Sequence, residues 1–380
     1  MTVKTFPLLL LLFLLSACAD REDTASVTEN AAATPPVESP EKTDFASGPC
    51  ADTAGLTTYC GFHNPEDMVL APDGQQLIIS EMGEFMLDTP GQLVLFDLAE
   101  KGLAPMDVRF EEPESRWLDA SCEIPEAALF SPHGIDLTLA DDGSARLWVV
   151  NHGGRESVEV FSLVQEDGDW SAIWQGCAQP PGDPFINDVS GLKDGGFLVT
   201  HMWDKHQAFE DIVAALTAGE NTGWIWRWRP DEGFSQLPGS AEMMPNGIAV
   251  SPDNQFAFVN IYMGNRTIKL DLETGEKVGE FDVRQPDNIT LDEEGNLWVA
   301  SHQHDPINET CAAVETGACL LPFQILRVNA QTLEKEVFLA HEGEPMGYTT
   351  VAFRAGNRIY MGSAHGDRIA SVEMSSAGSP

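Results

Sequence analysis

The chain has 380 residues, 60 acidic side chains against 21 basic ones, and a formal net charge of −39. A surface this acidic excludes nucleic acid as a partner, because phosphate binding needs a basic face. Most of the excess reads as solvated surface, which leaves only a few carboxylates for function.

Residues 1–17 read as a secretory signal. Lys4 supplies the positive end, Leu8 to Leu15 the apolar core, and Ser16-Ala17 the small residues before cleavage. The apolar run is too short to span a bilayer. Leu15-Ser16-Ala17-Cys18 resembles the bacterial lipoprotein cleavage box, which implies a lipidated Cys18 that contacts the membrane; an ordinary signal with a chance cysteine is the plainer alternative. Ala19 after the cysteine, by resemblance to Gram-negative sorting signals, implies an exported lipoprotein anchored at the outer membrane. Residues 18–48 then form the lipidated N-terminus and a flexible tether, and 49–380 the folded domain.

Past the tether one pattern recurs: a polar pair, a strand, an Asp/Gly turn and a second strand. It reads ED-MVLAPDGQQLIIS at 66, HG-IDLTLADDGSARLWVV at 133 and ND-VSGLKDGGFLVT at 187. It returns as NG-IAVSPDNQFAFV at 246, DN-ITLDEEGNLWVASH at 287 and TT-VAFRAGNRIYMG at 349. Six such copies at uneven spacing mark a radial repeat, so the expected fold is all-β, a six-bladed β-propeller. The third copy is followed by DKHQAFEDIVAALTAGENTG, where Phe209, Ile212, Val213 and Leu216 fall on one face of an inserted amphipathic helix. A long insertion in a compact repeat is expected either to pack on the wall or to cover the mouth as a lid.

Seven cysteines are present, and with Cys18 set aside six remain in an exported chain, which points to disulfides. Fifteen connectivities are possible; proximity favours Cys50–Cys60, Cys122–Cys177 and Cys311–Cys319.

The residues heading the repeats carry the chemistry: Glu66, Asp67, His133, Asn187, Asp188, Asn246, Asp287 and Asn288. Carboxylates and amides without cysteine form an oxygen-donor set, which suits a hard cation of the calcium type. Asn and Asp before a strand also make simple turns, but four such pairs at one place in the repeat are more than turns require. His133 and His152, near the same mouth, are candidates for a proton-transferring pair, with His302 and His365 less distinct. There is no G-x-S-x-G elbow, phosphate-binding loop or dinucleotide fingerprint.

Taken in order, NPEDMVLAPDG, PHGIDLTL with WVVNHGGRESVEVFSL, NDVSGL, PNGIAVSPD, DNITLDEEGNLWVASH and IYMGSAHG resemble the serum paraoxonase/arylesterase family over about 60–375. The resemblance implies a propeller with two calcium ions in its central tunnel and an esterase whose broadest substrates are lactones. It implies a catalytic calcium held by Glu66, Asn187, Asn246, Asp287 and Asn288, and a structural one held by Asp67, Asp188 and the carbonyl of Ile135. It also implies a His133–His152 dyad, a further pocket histidine at His302 and a lid at 206–218. Two departures stand out: the disulfide that ties the family's N-terminal region to the last strand has no cysteine here, and the helix lacks the family's aromatics. A sugar-lactone hydrolase of the gluconolactonase type is the neighbouring alternative, with Asp67 and Asp188 against it. A non-catalytic, lipid-anchored propeller with structural calcium is the alternative outside enzymes.

Overall fold

The computed structural model describes residues 45–374 apart from 54, 85–88, 141–142, 167 and 183. The signal, Cys18 and residues 18–44 of the tether lie outside the described residues. Six sheets follow one another along the chain, five antiparallel ones of four strands and one of five whose outermost strand, Asp107–Arg109, pairs parallel to Asp169–Ala178. Their innermost strands are Pro65–Leu70, Pro132–Leu139, Pro184–Gly191, Pro245–Val250, Pro286–Leu291 and Thr349–Ala355. Each inner strand touches the next and the first touches the last, so the sheets close a six-bladed ring.

The recurring Asp/Gly turn has a backbone cause. Gly74, Gly143, Gly195, Asn254, Gly295 and Gly356, at the same place in the six turns, all have positive φ. Glycine reaches that region without penalty and Asn tolerates it, which is why the repeats converge on these two residues. Behind the turns the second strands are nearly all buried, and their side chains fill the space between blades. Leu77, Ile79 and Phe96 of the first blade pack with Val351 and Tyr360 of the last.

Closure of the ring uses hydrogen bonds where the family resemblance had implied a disulfide. Thr57–Cys60 adds itself antiparallel to Arg368–Glu373 as the outer strand of the last blade, with Thr57 opposite Ser371 and Cys60 opposite Arg368. Cys50–Cys60 staples the segment leading into that strand; Cys122–Cys177 and Cys311–Cys319 are also formed, so all three expected pairs are present. Residues 45–48, read from the sequence as tether, belong to the fold. Ala46 bridges to Cys319, and Phe45 packs with Cys311, Val314 and Leu321.

At the axis two glycines are required by space. A Cβ on Gly134 would lie 2.6 Å from Asn187 O and from the Cα of Asp188; on Gly247 it would lie 2.5 Å from Asp287 O. Gly247→Ala should therefore lose about 1–3 kcal/mol to overpacking. Thermal unfolding checks this, with Gly102→Ala, whose Cβ meets nothing within 4 Å, as the substitution that leaves the melting temperature unchanged.

Candidate active site

Each polar pair sits where the ladder between first and second strand loses register. The breaks fall at 65/67, 132/135, 186/189, 245/248, 286/289 and 349/351. Such a break lets neighbouring residues depart from strict alternation and re-aims their side chains, here at the axis. The chain also enters four of these strands through a non-glycine residue of positive φ: Asn64, Met244, Gln285 and Tyr348. Backbone strain of this kind persists only where surrounding structure enforces it.

Glu66, Asn187, Asn246 and Asp287 line one cavity of about 200 Å³, with His133 on the same wall. Asn288 joins them by donating from Nδ2 to Glu66 Oε1 at 2.8 Å. Glu66 Oε2, Asn187 Oδ1, Asn246 Oδ1 and Asn288 Oδ1 are all buried without a hydrogen-bond partner. Native interiors seldom leave such atoms unsatisfied, so four from one constellation fit a group that accepts oxygen donors. The amide hydrogens are committed elsewhere: Asn187 Nδ2 lies 3.3 Å from His133 Nε2, and Asn246 bonds Asp287. What remains is an oxygen-only shell.

Asp67 and Asp188 meet a second cavity of about 370 Å³. Asp67 accepts from the amides of Met68 at 2.8 Å and Ile135 at 2.7 Å; Asp188 accepts from Val189 and Ile248, each at 2.7 Å. Each carboxylate thus ties its own blade to the next, and Ile135 adjoins the pair through its amide.

Among the described residues no Lys or Arg pairs with Glu66, Asp67, Asp188 or Asp287. Burial, with Glu66 beside them, pushes the Asp67 and Asp287 carboxyls well above their ordinary value; burial and Asp67 do the same to Asp188. No three His, Cys, Asp or Glu side chains among the described residues form a metal cluster by themselves. The shell here depends on amide oxygens, which calcium accepts and softer metals do not favour.

His133 Nδ1 lies 2.8 Å from His152 Nε2, so the two expected histidines do meet. His152 Nδ1 lies 2.8 Å from Glu156 Oε2, and Lys205 Nζ donates to Glu156 Oε1 at 2.9 Å. Neither Glu156 nor Lys205 stood out in the sequence. Glu156 follows His152 by four residues in a turn, where no periodicity ties them, and Lys205 comes from another blade.

His302 does not line the cavity. It is fully buried behind Asp287, with Nε2 donating to Thr349 O at 3.0 Å and Nδ1 facing the Tyr262 hydroxyl at 2.9 Å. Burial and neighbouring His304 push it down to about 3, so it stays neutral. Beside His133, the cavity wall carries His304, two residues on from His302, with Nδ1 unpartnered. His365 is structural, holding Val314 O at 2.7 Å.

The inserted helix, α1, runs Phe209–Thr217. Ile212 and Leu216 pack on Phe185, Met202 and Trp203, while Phe209 and Val213 also face the cavity. It is therefore both packed against the wall and a side of the mouth.

Residues 63–369 match the family profile described as Arylesterase. Serum paraoxonase/arylesterase 2 of Rattus norvegicus is 26% identical over 250 residues, 62% of this chain and 66% of the relative. The Homo sapiens protein of the same name is 25% identical over the same shares, so the chain spans just under two thirds of the length of these relatives. A luciferin-regenerating enzyme shares the fold, with a TM-score of 0.50, 16% identity, and coverage of 84% of this chain and 95% of that one.

The buried carboxylates set the sign of a pH effect. Without a cation their raised folded pKa values let the native state hold protons that the unfolded chain releases. That contribution to stability is present at low pH and lost as pH rises through those values. A bound cation needs the carboxylates ionised, so added calcium should raise the melting temperature more at pH 8 than at pH 5. Thermal unfolding with calcium and with chelator at each pH checks this; equal or absent shifts would remove the cation from the axis.

Proposed function

Since the chain belongs to the arylesterase family, we propose that it is a calcium-dependent hydrolase of lactones and aryl esters. The observation that carries this reading is the set of four partnerless oxygens around a cavity that also presents a histidine nitrogen. Glu66, Asn187, Asn246, Asp287 and Asn288 would hold a catalytic calcium ion; Asp67 and Asp188, with Ile135 beside them, would hold a second, structural ion. A calcium ion bound in the first set polarises an ester carbonyl and stabilises the negative charge that develops on its oxygen.

The rest falls to the chain itself. His133 Nε2 faces the cavity and takes a proton from the attacking water, then returns it to the departing alkoxide. Glu66 and Asp287 would be held by the ion, which would take up the lone pairs a base needs. Met202, Trp203, Phe209, Met244, Met263 and Ile307 make the remaining wall apolar, which suits a lactone or ester with a hydrocarbon face and excludes competing water. The signal and Cys18 support an exported protein held at the outer membrane by a lipid on Cys18, with the acidic propeller facing small neutral substrates.

Hydrolysis of simple lactones, a sugar lactone and phenyl acetate by the full-length protein tests the reading. Turnover should vanish with chelator and return with calcium, and the panel ranks the substrate classes. Absence of turnover, with chelation only lowering the melting temperature, would leave a binding platform with structural calcium. His133→Gln should reduce kcat by about 10²–10⁴, the range for loss of a general base; activity that survives it would move the base role to a carboxylate.

A further inference from the structure

Glu156, behind the cavity wall, faces His152 and Lys205 where the carboxylates at the axis face one another. Its side chain is wholly buried. Oε2 receives His152 Nδ1 at 2.8 Å and the Ile186 amide at 3.3 Å, and Oε1 receives Lys205 Nζ at 2.9 Å. Burial alone would raise its pKa, but attraction to His152, when that ring is protonated, and to Lys205 outweighs burial and holds it below its ordinary value.

An ionised carboxylate can only accept, so the hydrogen between the two residues belongs to His152 Nδ1. In neutral His152 the other nitrogen, Nε2, must then accept, and the hydrogen across the 2.8 Å contact belongs to His133 Nδ1. That leaves His133 Nε2, the atom facing the cavity, with a lone pair, and the Asn187 amide NH₂ at 3.3 Å fits that tautomer because it can only donate. The order of hydrogens along the whole chain is set from its buried end.

We propose that Glu156 is the positioning residue of this relay, fixing both histidines in the tautomer that aims the His133 lone pair into the cavity, with Lys205 keeping it ionised. The proposal rests on His133 being the base. Lys205 stands shortly before α1, so the same ion pair also holds the root of the helix that walls the mouth. In Glu156→Gln, Lys205 still demands an oxygen, so the amide turns its NH₂ toward His152 Nδ1. That reverses every hydrogen in the chain, the failure known for an Asp-to-Asn change behind a catalytic histidine.

The test uses full-length protein with calcium at pH 8, labelled with ¹⁵N at histidine. Long-range ¹H–¹⁵N spectra should show both His133 and His152 as Nδ1–H tautomers in the wild type, and His152 as Nε2–H in Glu156→Gln. For ester turnover, Glu156→Gln should lower kcat about 100-fold, within the general-base range, with KM within about threefold, and Glu156→Asp should recover part of the loss. A wild-type His152 in the Nε2–H form, or a folded Glu156→Gln with kcat within twofold of wild type, overturns the proposal. If the wild type hydrolyses no ester, the hydrolase reading fails, and the tautomer spectra still decide the role of Glu156. Should Glu156→Gln not fold, Glu156→Asp and Lys205→Met carry the same two readouts.

Discussion

Four carboxylates, Glu66, Asp67, Asp188 and Asp287, are buried together at the axis of the ring with no Lys or Arg beside them among the described residues. Each ionised carboxylate taken from water without a partner costs several kcal/mol, against a total stability of about 5–15 kcal/mol for a typical domain. Those penalties are avoided only where the groups hold protons or meet positive charge, so a cation at the axis would bear on folding as well as on catalysis. The orphaned amide oxygens support the same conclusion by a separate route, since an amide oxygen left dry is wasted unless something binds it.

The ring is polar along its axis because of how the six heads alternate. Their second residues are Asp67, Gly134, Asp188, Gly247, Asn288 and Thr350. Gly134 and Gly247 exist so that the backbones carrying Asp188 and Asn288 can come close. The two aspartates then bond the amides of Ile135 and Ile248 in the next blade, and Thr350 donates to Glu66 O at 2.7 Å. Register breaks at the heads let the first residues of five of them face the first cavity and the two aspartates the second. Substrate chemistry and structural charge are thus kept on opposite sides of one ring of strands.

Much of this was legible in the sequence because it repeats. Positive φ in each hairpin turn forces Gly or Asn at one place, and the heads before each first strand could be lined up by counting from it. α1 was legible because Phe209, Ile212, Val213 and Leu216 obey a period that strands do not. What escaped does not repeat. Thr57–Cys60 is too short to show alternation, and its role comes from a partner more than 300 residues away. The family resemblance pointed to His302 in the pocket, but the strand through His302 continues its burial, and the loop after it turns His304 to the cavity instead. Glu156 and Lys205 meet across two blades, a pairing that no local spacing encodes.

The heads also divide the work of binding charge from that of moving protons. Four of the six supply oxygens first: Glu66, Asn187, Asn246 and Asp287. One supplies a hydroxyl, Thr349, and one a ring nitrogen, His133. A carboxylate that neutralises a cation loses basicity as it does so. His133 Nε2 is not part of the oxygen set and touches it only through the Asn187 amide NH₂ and, at 3.5 Å, Glu66 Oε1. His152 stands on the far side of the imidazole, 2.8 Å from Nδ1, to share a proton. The second blade is therefore where a proton can be held next to a cation without the two competing for the same atom.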